Sequence, residues 1–500
     1  MKQLILLILM NLGLGHVLFS QVFVVHQKNI TTRIHADAAW IRGNSGLDLI
    51  VTGELAQQDM KVVTTYYFKD RNQVYKAQPK GLPDLKRASI AVGDLNKNGL
   101  ADVFLSGVDS QGRFLAGIYF QQTNGNFVLS PVQVPALVDG HTEIADFDKD
   151  NDLDILLTGM DASGRSRTVI LENKSGEFAI RSFDMPGVIN GEARWGDANK
   201  DGFLDIFITG NWNGHPVSRL YIYKEGNYLL HPQSFPALTN SAVVWADFNN
   251  DGLNDFVLAG ADVDGRPYTR LFLGNKSLYF DEQSISGFRP LKNVSMDIAD
   301  FDSDGDMDLL IAGESMERPY TILYENKGKG IFEDFVAGLP WVSEGVVRFG
   351  DFDLDGDPDI FVMGIDVCYN LIGSIYKNTL NPEKVIEDSI TNIFIDSPIV
   401  DLSRGPYYYF VFSSCYCDPE NSGKKDYHAF VSNIHQEKHD FDLTYIFNDL
   451  LIKRFSGWGE TDRGHRTSNA FINRADAEEG RKQVIGGYQD EGFIMHYINW

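Results

Sequence analysis

The residues with the clearest chemical capacity are aspartates and asparagines at fixed intervals. Six stretches read Asp-x-Asp/Asn-x-Asp/Asn, then Gly or Asn, then x-x-Asp, with the first Asp at 94, 146, 197, 247, 300 and 351. Oxygen donors therefore fall at positions 1, 3, 5 and 9 of each stretch. Calcium takes about six to eight oxygens, and alternate residues of a tight loop turn their side chains toward one centre, with the position-7 carbonyl as a further donor. Glycine at position 6 permits the sharp turn. Asn151, which stands there in one stretch, also tolerates positive φ. A helix-loop-helix calcium site would need a bidentate Glu at position 12 and amphipathic flanks, and neither is present.

The stretches differ in donor quality. Asp146, Asp148, Asp150 and Asp154 form a full carboxylate set, as do Asp300, Asp302, Asp304 and Asp308, and Asp351, Asp353, Asp355 and Asp359. One Asn enters each of two others: Asp197, Asn199, Asp201, Asp205, and Asp247, Asn249, Asp251, Asp255. Asp94, Asn96, Asn98 and Asp102 hold only two carboxylates and should bind more weakly. A degenerate copy, Trp40 to Gly53, offers Trp40 and Arg42 at positions 1 and 3, so no ion is expected there. Up to six calcium ions are therefore expected. The formal net charge of −25 suits cation binding and argues against a nucleic-acid backbone or an anionic membrane surface as partner. Apolar residues at 43% and charged residues at 23% are ordinary for a globular chain and exclude wholesale disorder.

These loops need strands to position them. The first Asp recurs at spacings of 52, 51, 50, 53 and 51 residues. Each unit has a short apolar run before the loop (Ala242 to Trp245), another after it (Asp255 to Ala259), an alternating strand (Arg318 to Tyr324) and a short fourth (Gly330 to Asp334). Four strands per unit of this length predict a propeller blade. Seven units counted from Gln21 end near residue 378, where Gly373 to Lys377 is the last recognisable blade strand. The last blade then lacks an outer strand, which Val22 to Val25 is expected to supply, closing the ring and removing two open edges. A small residue, Gly93, Ala145, Gly196, Ala246, Ala299 or Gly350, precedes each first Asp, as crowding near an axis requires.

With the loops and strands together, residues 22–378 resemble the FG-GAP/VCBS repeats of integrin-α-type seven-bladed propellers. The resemblance implies an all-β propeller in which the Asp loop joins the first two strands of a blade and holds structural calcium on one face of the disc. It also implies recognition on the opposite face, built from second-to-third-strand hairpins and connections between blades. There the sequence places Trp212, His215, Arg266, Tyr268, Phe288, Arg289, Arg318, Tyr320 and Trp341. Aromatic and Arg side chains are favoured interface anchors. The function implied is a binding or adhesion module for an extracellular protein or glycan. Two alternatives are a polysaccharide-active enzyme, since propellers with these repeats occur in polysaccharide lyases, and a scaffold for an active C-terminal module. The first loop is degenerate and the second is rich in Asn, which departs from the family pattern.

The chain begins with Met1-Lys2, an apolar run from Leu4 to Leu18 and Phe19-Ser20-Gln21, the pattern of a secretory signal peptide over residues 1–20. Export to the cell surface, the medium or the periplasm is expected, without membrane insertion after signal removal. Past residue 378 the repeat stops, and residues 379–500 read as a small α+β domain with a strand at Tyr407 to Phe412, a helix at Asn473 to Ile485 and a strand at Phe493 to Ile498. His435 and His439 would face one side if helical, with Cys415, Cys417 and His428 as further metal donors. Cys415 and Cys417 are too close for an easy mutual disulfide, so Cys368 is the alternative partner for either. Asp462 to His465 has the residue types of a hydrolytic site but no nucleophile elbow beside it.

Overall fold

The computed structural model describes residues 22–380, apart from 29, 44–45, 56–59, 284–286 and 367–369, and parts of the C-terminal region: 407–417, 426–437, 466–467, 494–498 and scattered positions between 474 and 489. The signal-peptide reading therefore lies outside the described residues. The chain divides into two compact units, one of residues 21–388 and one of the remainder.

The first unit is built from seven four-stranded antiparallel sheets, the seven blades of an all-β propeller. Blade 4 shows the plan: Ile189–Gly196 innermost, then Asp205–Trp212, His215–Lys224 and the outermost Asn227–Leu230. The second strand of each blade is a nearly continuous buried run, as in Asp255–Ala261, because both sheet faces are covered by neighbouring blades. Seven such interfaces fill with interlocking apolar side chains. Between blades 4 and 5, for instance, Phe207, Phe235, Phe256 and Phe272 pack in one cluster.

The ring closes as the sequence suggested. Phe23–Gln27 runs antiparallel to Leu371–Asn378 as the outermost strand of blade 7, with Phe23 opposite Asn378. Phe23 is fully buried and its ring lies 5.9 Å from that of Phe301.

The small residue before each loop answers to the neighbouring blade. A Cβ on Gly196 would lie 2.6 Å from the Trp245 ring of blade 5, and one on Gly350 would lie 2.5 Å from Trp40 Nε1 of blade 1. Six of the seven innermost strands also carry a bulge, at 34/37, 86/89, 189/192, 239/242, 292/295 and 343/346. A residue of positive φ stands at each, among them His35, Arg87, Asn190 and Glu344. Such bulges re-aim the following side chains, here toward the axis of the ring.

In the second unit, strands Arg466–Thr467, Val411–Cys417, Asp426–Ser432 and Ile494–Ile498 form one sheet in that order, the last pair parallel. Tyr407–Tyr409 pairs with His435–Glu437. Helical residues among those described are Arg474, Ala475, Ala477, Glu478, Arg481, Lys482, Ile485 and Gln489. His435 opens a strand, which removes the helical spacing on which a His435–His439 chelate depended. The backbone register sets Cys415 opposite His428. Cys368, His439 and Asp462 to His465 lie outside the described residues.

Candidate metal centres and recognition face

Strands in each blade alternate in direction. The Asp loops and the third-to-fourth-strand hairpins therefore emerge on one face of the disc. The second-to-third-strand hairpins and the connections between blades emerge on the other.

The six Asp loops share one hydrogen-bond plan. The first Asp accepts the N–H groups of positions 5 and 6, as Asp197 does from Asp201 at 3.1 Å and from Gly202 at 2.9 Å. Position 5 accepts the N–H of position 7, as Asp201 does from Phe203 at 2.8 Å. Position 2 is a buried anchor: Leu95, Phe147, Ala198, Phe248, Phe301 and Phe352 all point into the core. The ninth-position Asp ties the loop to the sheet. One oxygen of Asp308 accepts the N–H of Phe301 and the other that of Asn326, and the five equivalents do the same. Position 4 as well as position 6 is left-handed, with φ of 57° at Lys200, 62° at Ser303 and 63° at Leu354. Sequence reading found the glycine turn but not this second one, because no glycine marks it.

The ninth-position carboxylates are fully buried. Burial pushes Asp102 and Asp255 up to about 6, Asp154, Asp205 and Asp308 to about 7, and Asp359 to about 8, against the pull of the backbone N–H groups. A divalent cation would restore their charge. Whether the residues fit such an ion is tested best at blade 3. There the ligand atoms of Asp146, Asp148 and Asp154 lie within 4.8 Å of one another, and Asp148 Oδ1 is buried with no hydrogen-bond partner. The sets Asp300, Asp302, Asp304 and Asp351, Asp353, Asp355 converge equally closely. These donors fit a hard cation such as calcium.

Blade 1 corrects the sequence alignment. Ile41 pairs with Asp48 where Gly93 pairs with Asp102 in blade 2, so the hairpin is two residues shorter and Arg42, not Trp40, stands at its start. Trp40 and Arg42 both belong to the strand Arg33–Gly43, where Arg42 pairs with Leu47. Asp48 accepts the Tyr66 hydroxyl at 2.7 Å and the Lys69 N–H at 2.8 Å.

On the opposite face, four of the residues singled out for recognition come together. The Arg318 guanidinium lies 4.4 Å from the centre of the Trp341 ring, and that of Arg289 lies 4.2 Å from the Tyr320 ring. Both arginines donate to the Tyr320 hydroxyl, at 3.0 Å and 3.2 Å, and the Tyr320 and Trp341 rings are 5.1 Å apart. Tyr320 and Phe288 are themselves buried. The others stay apart from this group. Trp212 pairs across its hairpin with the exposed His215 and stacks with Arg219. Arg266 is an exposed partner of Asp264, and Tyr268 lies beside Arg270. Exposed Val263, Met316 and Val336 share this face.

The axis of the ring was not read from the sequence. A cavity of about 240 Å³ is lined by Asp37, His141, Glu143, Arg194, Asp297 and Arg348 among others. Its carboxylates bridge blades: Glu143 accepts Trp195 N–H at 2.7 Å, Asp297 accepts Phe349 N–H at 2.8 Å, and Asp37 accepts Ile90 N–H at 3.0 Å. Arg348 reaches Asp37 at 2.7 Å and Arg194 reaches Glu192 at 3.0 Å. Burial raises the Asp37, Glu143 and Asp297 carboxyls, with the guanidinium groups opposing it.

The family model described as FG-GAP-like repeat matches residues 197–258, 247–311 and 300–362. No curated protein matches the chain in sequence. Among solved structures, the chain is similar to the BBS1N protein in complex with ARL6DN (12% identity, 72% of this chain and 98% of that one, TM-score 0.40). It is also similar to the six-bladed fucose-recognising lectin of Aleuria aurantia (8% identity, 64% and 99%, TM-score 0.36). A thermostable family-43 glycoside hydrolase is a further likeness (9% identity, 52% and 96%, TM-score 0.30). Three matched repeats within seven four-stranded sheets make this unit a seven-bladed β-propeller that carries FG-GAP-like repeats.

Proposed function

We propose that the protein is an exported, calcium-stabilised propeller that binds a protein or glycan ligand through the face opposite its Asp loops. The observation that carries this reading is the cluster of Arg289, Arg318, Tyr320 and Trp341. Stacked guanidinium groups are held planar and half-desolvated, ready for a carboxylate or hydroxyl, beside an indole that offers an apolar platform. Exposed Val263, Met316 and Val336 add apolar area on the same face. Ions on the other face would stiffen the blades without touching the ligand.

The test is binding of the full chain to glycan and extracellular-protein arrays in calcium buffer, followed by Arg318→Ala and Trp341→Ala. Each variant should lower affinity for a captured ligand by roughly tenfold or more, the range of an interface anchor. Ligand binding indifferent to both substitutions would move recognition elsewhere.

A further inference from the structure

One register position separates the loops, and it lies outside the Asp motif. Continuing the register between the second and third strands of each blade by one residue sets Phe68, Phe120, Glu172, Ile222, Leu273, Glu325 or Lys377, from blade 1 to blade 7, opposite the ninth-position Asp. It is apolar in blade 1 and in the three blades whose loops place Asn at a donor position. It is charged in the three blades whose loops carry four carboxylates.

The register sets Glu172 and Glu325 beside the loops of blades 3 and 6, although neither belongs to the converging carboxylates there. Glu172 is 6% exposed. The cations that meet these glutamates, Lys174, Arg181 and Lys327, are 64%, 43% and 41% exposed and can be released to water.

Blade 7 has the opposite arrangement. The Lys377 ammonium is paired with Asp353 and lies 3.1 Å from Asp355, and its side chain is 28% exposed. Lys69 of blade 1 is 3% exposed and donates to the Phe352 carbonyl of the same loop. Two ammonium groups thus stand against the converging carboxylates of Asp351, Asp353 and Asp355. Asp353 Oδ1 has no hydrogen-bond donor, but its other oxygen holds Lys377.

We infer that a cation opposite the ninth-position Asp decides whether a full carboxylate loop takes calcium: Lys377 serves as a built-in cation that leaves the blade 7 loop metal-independent, whereas the loops of blades 3 and 6, with Glu172 and Glu325 at that position, stay open to the ion. This rests on the calcium reading above, and the experiment separates the two. Bound calcium is counted per full-length chain by native mass spectrometry, with affinities by titration calorimetry. Lys377→Glu should gain one ion relative to wild type, and Glu325→Lys should lose one. If wild type binds calcium but neither charge swap changes the count, the inference falls and the calcium reading survives. No bound calcium in any chain would overturn both. Should Lys377→Glu not fold, an unchanged ion count in Glu325→Lys is sufficient to overturn the inference.

Discussion

His141 lines the axial cavity with Glu143, Glu192, Arg194 and Arg348 around it, and burial, then the Arg194 charge, lowers its pKa to about 3. The folded form therefore keeps this imidazole neutral while the unfolded chain takes up a proton near pH 6.5. Its contribution to stability is complete above that pH and is lost as the pH falls from about 6.5 toward 3. Denaturant midpoints at pH 7 and pH 5 should differ less in His141→Gln than in wild type, by up to ~1.4 kcal/mol per pH unit. Equal pH dependence in the two chains would remove His141 as the cause. At this scale the sequence disclosed the oxygen donors because their spacing is local. It hid what depends on a neighbouring strand: the two backbone N–H groups on each ninth-position Asp, the charge of residues 172, 325 and 377 beside the loops, and the carboxylates that bridge blades at the axis. Only the position-2 N–H keeps a fixed offset from its Asp, seven residues in all six loops, and the other pairings reach outside the motif.

Among the elements, the N-terminal strand has the largest consequence per residue. Phe23 is fully buried between the blades, packed with Phe301, Val347 and Tyr376. Phe23→Ala should cost about 3–5 kcal/mol, the usual loss for a buried ring. It should also expose the edge of blade 7. Equilibrium urea unfolding, with size-exclusion chromatography for association, measures both. A loss below about 1 kcal/mol would mean that the strand is dispensable to the ring. This strand was legible in advance because the count of repeats left one sheet incomplete. The bulges on the innermost strands were not, since positive φ falls there on His35, Arg87 and Glu344 rather than on glycine. Blade 1 was misaligned for a related reason: a gapless reading cannot register a hairpin two residues shorter than its siblings.

Taken whole, the propeller is a ring of sheets whose loops are already folded by their own hydrogen bonds. Calcium is therefore expected to tighten the ring rather than to create it. A site kept at 100 times its Kd adds ~2.7 kcal/mol, and several such sites add in proportion. Adding a chelator should lower the melting temperature by several degrees while the far-ultraviolet spectrum at 25 °C stays that of a β protein. A melting temperature unchanged by chelation would deny the ions a structural part. The number of blades was legible as arithmetic on a repeat, whereas the C-terminal unit offered no period to count and yielded only isolated strands and a helix.

The seam in blade 7 also sets an order of assembly. The strand that seals the last sheet is the first of the blade strands to leave the ribosome, and its partner, Leu371–Asn378, is the last. Until both are available, the growing chain is an open arc with a bare rim at either end, and bare rims invite pairing between molecules. A nascent chain stalled short of residue 378 would then be the most aggregation-prone species this protein passes through.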